Sequence, residues 1–167
     1  NQTGRTRLFI PYPSGSNASS AAKESVAATD DARTVRLTAE VGDGAASTVE
    51  VGVADDAQNG VGTEDVIAPP SRFEAVSLRV RADDSDASTR QRSLVRSLRS
   101  AGGDGQVYDL RLQAEKGVTT TLSAHAAEDG PSLRLINRET GERFDLREDP
   151  TVTITTRSAD HPLALVV

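Results

Sequence analysis

Hydrophobic side chains recur at every second position through most of this chain. In RTVRLTAEV, Val35, Leu37, Ala39 and Val41 share one face, while Thr34, Arg36, Thr38 and Glu40 share the other. The same alternation groups Val49, Val51 and Val53 in STVEVGVA. It sets Val76, Leu78 and Val80 against Ser77, Arg79 and Arg81 in AVSLRVRA, and Tyr108, Leu110 and Leu112 against Asp109 and Arg111 in VYDLRLQAE. Shorter apolar-polar segments follow around Leu122, Leu133 and Leu135, Phe144 and Leu146, Val152 and Ile154, and Leu163, Leu165 and Val167. A period of two marks strands. Strands that bury one face only belong to an antiparallel sheet wetted on its other side.

Turn chemistry separates these segments: GDG at 42–44, DDSD at 83–86, GGDG at 102–105, EDGP at 128–131 and RETGE at 138–142. The run Leu133–Asn137, the turn RETG and the run Arg143–Leu146 predict one hairpin. Strands recur about every ten residues, the spacing of a two-sheet sandwich. The predicted fold is therefore all-β, an antiparallel β-sandwich of immunoglobulin-like or jelly-roll layout with at most one short helix. TRQRSLVRSLR at 89–99, with Leu94, Val95 and Leu98 at i, i+1 and i+4, reads as either that helix or an edge strand, and the strand is preferred. The chain reads as a single domain over 1–167. Within it, 14–33 is a polar loop or linker, and RLFIPYP at 7–13 is a further strand or the tail of a preceding domain.

Composition narrows the setting. Apolar residues make up 36 % of the chain, and the aromatic residues are three Phe, two Tyr and no Trp. The core must then be built from Val, Leu, Ile and Ala. The net charge of −6 argues against nucleic acid or an anionic membrane as partner, and no apolar run approaches the roughly 20 residues of a membrane span. Arg outnumbers Lys seventeen to two, and Asp outnumbers Glu fifteen to ten, a bias of GC-rich genomes and salt-adapted surfaces. There is no Cys for a disulfide or thiolate. Without Met, the chain reads as a piece of a longer polypeptide.

Chemistry was sought first in GVADDAQNGVGTEDVIAPP at 52–70, between two strands. Asp55, Asp56, Glu64 and Asp65 are its candidate cation ligands. However, a calcium loop needs oxygen ligands at alternate positions, a sixth Gly and a twelfth Glu, and this stretch lacks that order. The preferred reading is a connection in which Asp caps turns and Pro69-Pro70 forces an extended exit. The two histidines, His125 and His161, allow the sets Ser123–His125–Asp129 and Ser158–Asp160–His161. Triad members normally come from separate elements, so both histidines are expected at the surface without a catalytic role. Arg90, Arg92, Arg96 and Arg99 form either a solvated edge that blocks aggregation or a patch for an acidic partner. Sugar platforms use exposed aromatics, yet Phe73, Tyr108 and Phe144 are expected in the core, leaving only Phe9 and Tyr12.

Two ordered sets of residues carry a resemblance. The first is Gly52, Val53, Asp56, Gly60, Asp65, Pro69 and Pro70. The second is Leu133, Leu135, Asn137, Thr140, Gly141, Asp145 and Leu146. Over 33–167 the succession resembles the immunoglobulin-like β-sandwich module found beside the C-terminal sorting domain of type IX secreted bacterial surface proteins. That family carries Trp where this chain has Tyr108, which would fill the same core slot. The resemblance implies a non-catalytic structural or interaction module of a larger secreted or cell-surface bacterial protein, without cofactor. Its partners would be neighbouring domains, a glycan or another surface protein. The alternative is a carbohydrate- or calcium-binding sandwich.

Overall fold

The computed structural model describes residues 33–167, apart from 43, 59, 72–73, 84–90, 102–104, 128–129 and 131. The segments 7–13 and 14–32 therefore lie outside the described residues, as do Phe73, Arg90 and Asp129. Eleven strands and no helix make up the described chain: β1 Arg33–Val41, β2 Ala46–Ala54, β3 Val66–Ile67, β4 Val76–Asp83, β5 Gln91–Ser100, β6 Val107–Ala114, β7 Thr119–Ala126, β8 Arg134–Asn137, β9 Arg143–Asp145, β10 Thr151–Thr155 and β11 Asp160–Val166.

The strands form one sheet in the order β10-β7-β1-β2-β5-β4-β6-β11-β8-β9, with β3 attached to β5. It curls into a nearly closed, barrel-like body. Neighbours are antiparallel except β2 and β5, which run parallel from Glu50 opposite Arg96 to Ala54 opposite Ser100. The sheet is therefore mixed rather than antiparallel throughout.

Strand β5 turns the sheet. Its first half pairs with β4, Leu94 standing opposite Val80, and its second half pairs with β2. Its other edge takes β3. The segment expected as an edge strand or a short helix is thus a central strand. Three partners claim its backbone, and a strand satisfies backbone groups on two sides where a helix satisfies its own.

The inward positions follow the sequence pattern. Val35, Leu37, Ala39 and Val41 are buried, as are Val49, Val51, Leu78, Val80, Leu110, Leu112, Leu135, Leu163 and Leu165, all in one cluster. The predicted late hairpin forms as β8 and β9, with Leu135 opposite Phe144. Its turn places Gly141 at φ 78°, where side chains are disfavoured. Strand β4 departs from the alternation. Ser77 and Arg79, expected on the wet face, are 1 % and 6 % exposed.

Leu112→Ala should cost about 2–5 kcal/mol, since the cavity would sit in a close-packed aliphatic layer. Ile67 is 59 % exposed, and Ile67→Ser should change stability by less than about 0.5 kcal/mol. Chemical denaturation of the two variants checks both values.

Candidate functional site

The stretch 52–70 leaves β2 at Gly52 and reaches β4 by way of β3. Asp55 and Asp56 stand exposed in the turn after β2, where the Ala57 amide donates to the Ala54 carbonyl at 3.2 Å. Glu64 and Asp65 are half-buried. Asp65 spends both oxygens on the backbone: Oδ1 accepts the Leu98 amide at 3.0 Å and Oδ2 the Gly62 amide at 2.8 Å. Leu98 lies on β5, two residues past the position opposite Val66. The carboxylate therefore takes the place of a strand carbonyl just ahead of the start of β3. Among the described residues, no group of three or more Asp, Glu or His side chains is arranged to hold a metal ion.

Gly52 is the pivot of this region. It stands opposite Thr34 on β1 and Leu98 on β5, and its carbonyl accepts the Tyr108 hydroxyl at 2.5 Å. A Cβ at Gly52 would lie 2.3 Å from the Arg33 carbonyl oxygen and 2.9 Å from the Thr34 Cα, both backbone atoms. Only hydrogen fits there. Tyr108 reaches Gly52 from β6 and is fully buried. Burial pushes its hydroxyl up to about 12, against the opposing pull of the Arg99 guanidinium and the hydrogen bond to Gly52. Arg99 stacks over the ring at 4.4 Å and donates to the Val107 carbonyl at 2.6 Å.

Two of the four segment arginines, Arg96 and Arg99, are half-buried. Arg96 pairs with Glu50 at 3.3 Å, and Glu50 also takes Arg36 at 3.5 Å. Arg92 is exposed, and Arg90 lies outside the described residues. Arg96 and Arg99 brace β5 against β2 and β6.

His161 corrects the expectation of a surface histidine: it is fully buried. Its Nε2 donates to Asn137 Oδ1 at 2.9 Å. That oxygen also accepts the Glu139 amide at 3.1 Å, which fixes the orientation of the Asn side chain. His161 Nδ1 then faces Glu139 Oε2 at 3.0 Å. Ser158 Oγ reaches the other Glu139 oxygen, while Asp160 turns outward to Arg111 at 3.6 Å. The set Ser158–Asp160–His161 is therefore not assembled, because the histidine is held by Asn137 and Glu139. His125 is exposed on β7, opposite Arg36. It lines a cleft of about 640 Å³ with Arg33, Arg36, Glu50 and Arg147, and Ser123 does not line that cleft.

Arg79 is the buried charge that the alternation concealed. Its Nη2 lies 3.0 and 2.7 Å from the two Glu74 oxygens, and its Nη1 donates to Ser47 Oγ at 3.1 Å and the Leu78 carbonyl at 2.9 Å. Ser47 Oγ also accepts the Leu78 amide at 2.9 Å. These bonds tie the start of β2 to β4 where β5 does not lie between them. An acid a few residues ahead of an in-strand arginine was the available signal, and Glu74 supplies it.

Asp65→Ala would strand the Leu98 amide and should cost about 1–3 kcal/mol. Glu74→Ala, which leaves Arg79 with neutral acceptors only, should cost a similar 1–3 kcal/mol, reduced because Glu74 reaches solvent. Tyr108 also gives a pH signature. Its folded value is raised from the ordinary 10.0 to about 12, so its contribution is complete below pH 10 and lost as pH rises towards 12. Urea unfolding across that window should show stability falling in the native protein, with a smaller fall in Tyr108→Phe. Compared with family models, curated proteins and solved structures, the chain matches none of them.

Proposed function

We propose that this chain is a non-catalytic structural and interaction module of a larger secreted or cell-surface bacterial protein. It would space or present neighbouring domains of the parent polypeptide, or dock a glycan or another surface protein. The observation that carries this reading is where the polar side chains go. Tyr108, Asp65, Arg79 and His161 are spent on ties between strands or on neighbouring side chains. Such ties suit a rigid spacer, because they commit these side chains to holding strands and turns together. In finer architecture the reading remains an immunoglobulin-like or jelly-roll sandwich. The bend at β5 supports it by giving both halves of the sheet a common core.

The alternative is a carbohydrate- or calcium-binding module. For calcium, the strongest candidate, Asp65, has both oxygens turned to backbone amides, and this favours the spacer.

Millimolar calcium should leave the melting temperature unchanged. A site with a dissociation constant one hundredth of the calcium concentration would add about 2.7 kcal/mol and raise the melting temperature by several degrees, which would replace the spacer with a cation-binding module. Ester, glycoside and phosphoester substrates should show no turnover that His125→Ala removes. Such a loss would return the chain to the enzymes.

A further inference from the structure

The wet face of β4, β6 and β11 distributes its charges unevenly. Two acids there are each held by an arginine, Asp160 by Arg111 and Asp109 by Arg138, and Glu74, just ahead of β4, holds the buried Arg79. A fourth arginine, Arg81, has no hydrogen-bond or ion-pair partner among the described residues. The acid opposite it across the ladder is Asp109, which is already taken by Arg138. Arg79 stands directly opposite Arg111. Each of these two is balanced by its own carboxylate, Glu74 and Asp160, whereas Arg81 is not.

Arg81 also sits where two clefts meet. One, of about 430 Å³, lies between the Pro69-Pro70 segment and the sheet. The other, of about 240 Å³, runs on towards Arg138 and Pro162. Both are lined by Arg81, Gln91 and Arg111. The larger falls within the roughly 300–1,000 Å³ of small-molecule sites. Gln113 lines it too, and its carbonyl oxygen accepts the Ser71 hydroxyl at 2.9 Å, so its amide hydrogens remain for a ligand.

We infer that this groove binds an acidic oligosaccharide, with Arg81 gripping a uronate carboxylate. The proposal rests on the interaction-module reading and gives it a partner class. Arginine matches a carboxylate with two parallel hydrogen bonds. Gln91, Gln113 and Ser93 offer the mixed donors and acceptors that sugar hydroxyls need. An extended acidic peptide fits less well. Such peptides add to a free sheet edge, and here β4 and β6 each have paired neighbours on both sides.

The test is titration calorimetry of the chain with trigalacturonate, its methyl ester and tetraglutamate at low and moderate salt. Trigalacturonate should bind, more weakly as salt rises. The uncharged ester should bind at least tenfold more weakly, as should Arg81→Gln with the acid. Arg81→Lys should fall between, because an ammonium keeps the charge and loses the paired geometry. Arg36→Gln, on the other half of the sheet, should bind as the native chain does. Circular dichroism and melting of each variant separate lost binding from lost folding. Equal affinity for the ester, or an unchanged Arg81→Gln or Arg81→Lys, would overturn the site. Tighter binding of tetraglutamate would replace the saccharide with an acidic protein segment. No binding at all would remove the groove and leave the module reading standing, since its own tests use calcium and turnover.

Discussion

A strand that slips by one residue turns its whole apolar set towards water. In this protein that constraint is unusually strict, because the core is almost wholly aliphatic and the sheet curls until its two halves share it. Leu37 on β1, Leu110 on β6 and Leu163 on β11 all enter one cluster. A slip in any strand would expose several of them. The Tyr108 hydroxyl on the Gly52 carbonyl adds a directional lock to this undirected packing. It joins β6 to β2 at a glycine that no other residue could replace without moving the Arg33 carbonyl.

The same economy appears in the buried polar groups. A charge taken from water must find partners nearby or destabilise the fold. Arg79 finds Glu74, Ser47 and a carbonyl, and His161 finds Asn137 and Glu139. Both networks sit where strands join without a regular ladder or where a tight turn ends. Their chemistry is the chemistry of fastening. Arg81 breaks this habit, being a cation on the same strand as Arg79 with no acid held against it among the described residues. That contrast separates the groove from the rest of the surface.

Some of this was legible in the residues. The alternation placed Val35, Leu78, Leu110 and Leu163 correctly, and the Thr-Gly turn marked β8 and β9. Asp65 was read as part of a connection, and its carboxylate accepts the Gly62 and Leu98 amides there. The pattern misled where burial had a second source. Ser77 and Arg79 occupy wet-face positions by parity but are covered by other parts of the fold, and His161 was placed outside because it opens the last strand ahead of Pro162. TRQRSLVRSLR looked peripheral since its charges outnumber its apolar residues. It is central because β2, β3 and β4 all pair with it, and two of its arginines, Arg96 and Arg99, lie over Glu50 and Tyr108.

By itself the sequence determined that the chain folds as strands, which face of most strands is apolar, and where the turns fall. Those properties depend on neighbours one to four residues apart, and local sterics and solvation decide them. Only the tertiary structure decided that β5 runs parallel to β2, that Tyr108 meets Gly52, and that Asp109, the acid opposite Arg81, is taken by Arg138. Each of those joins residues dozens of positions apart. Such contacts exist only after the sheet has curled, so no local pattern encodes them.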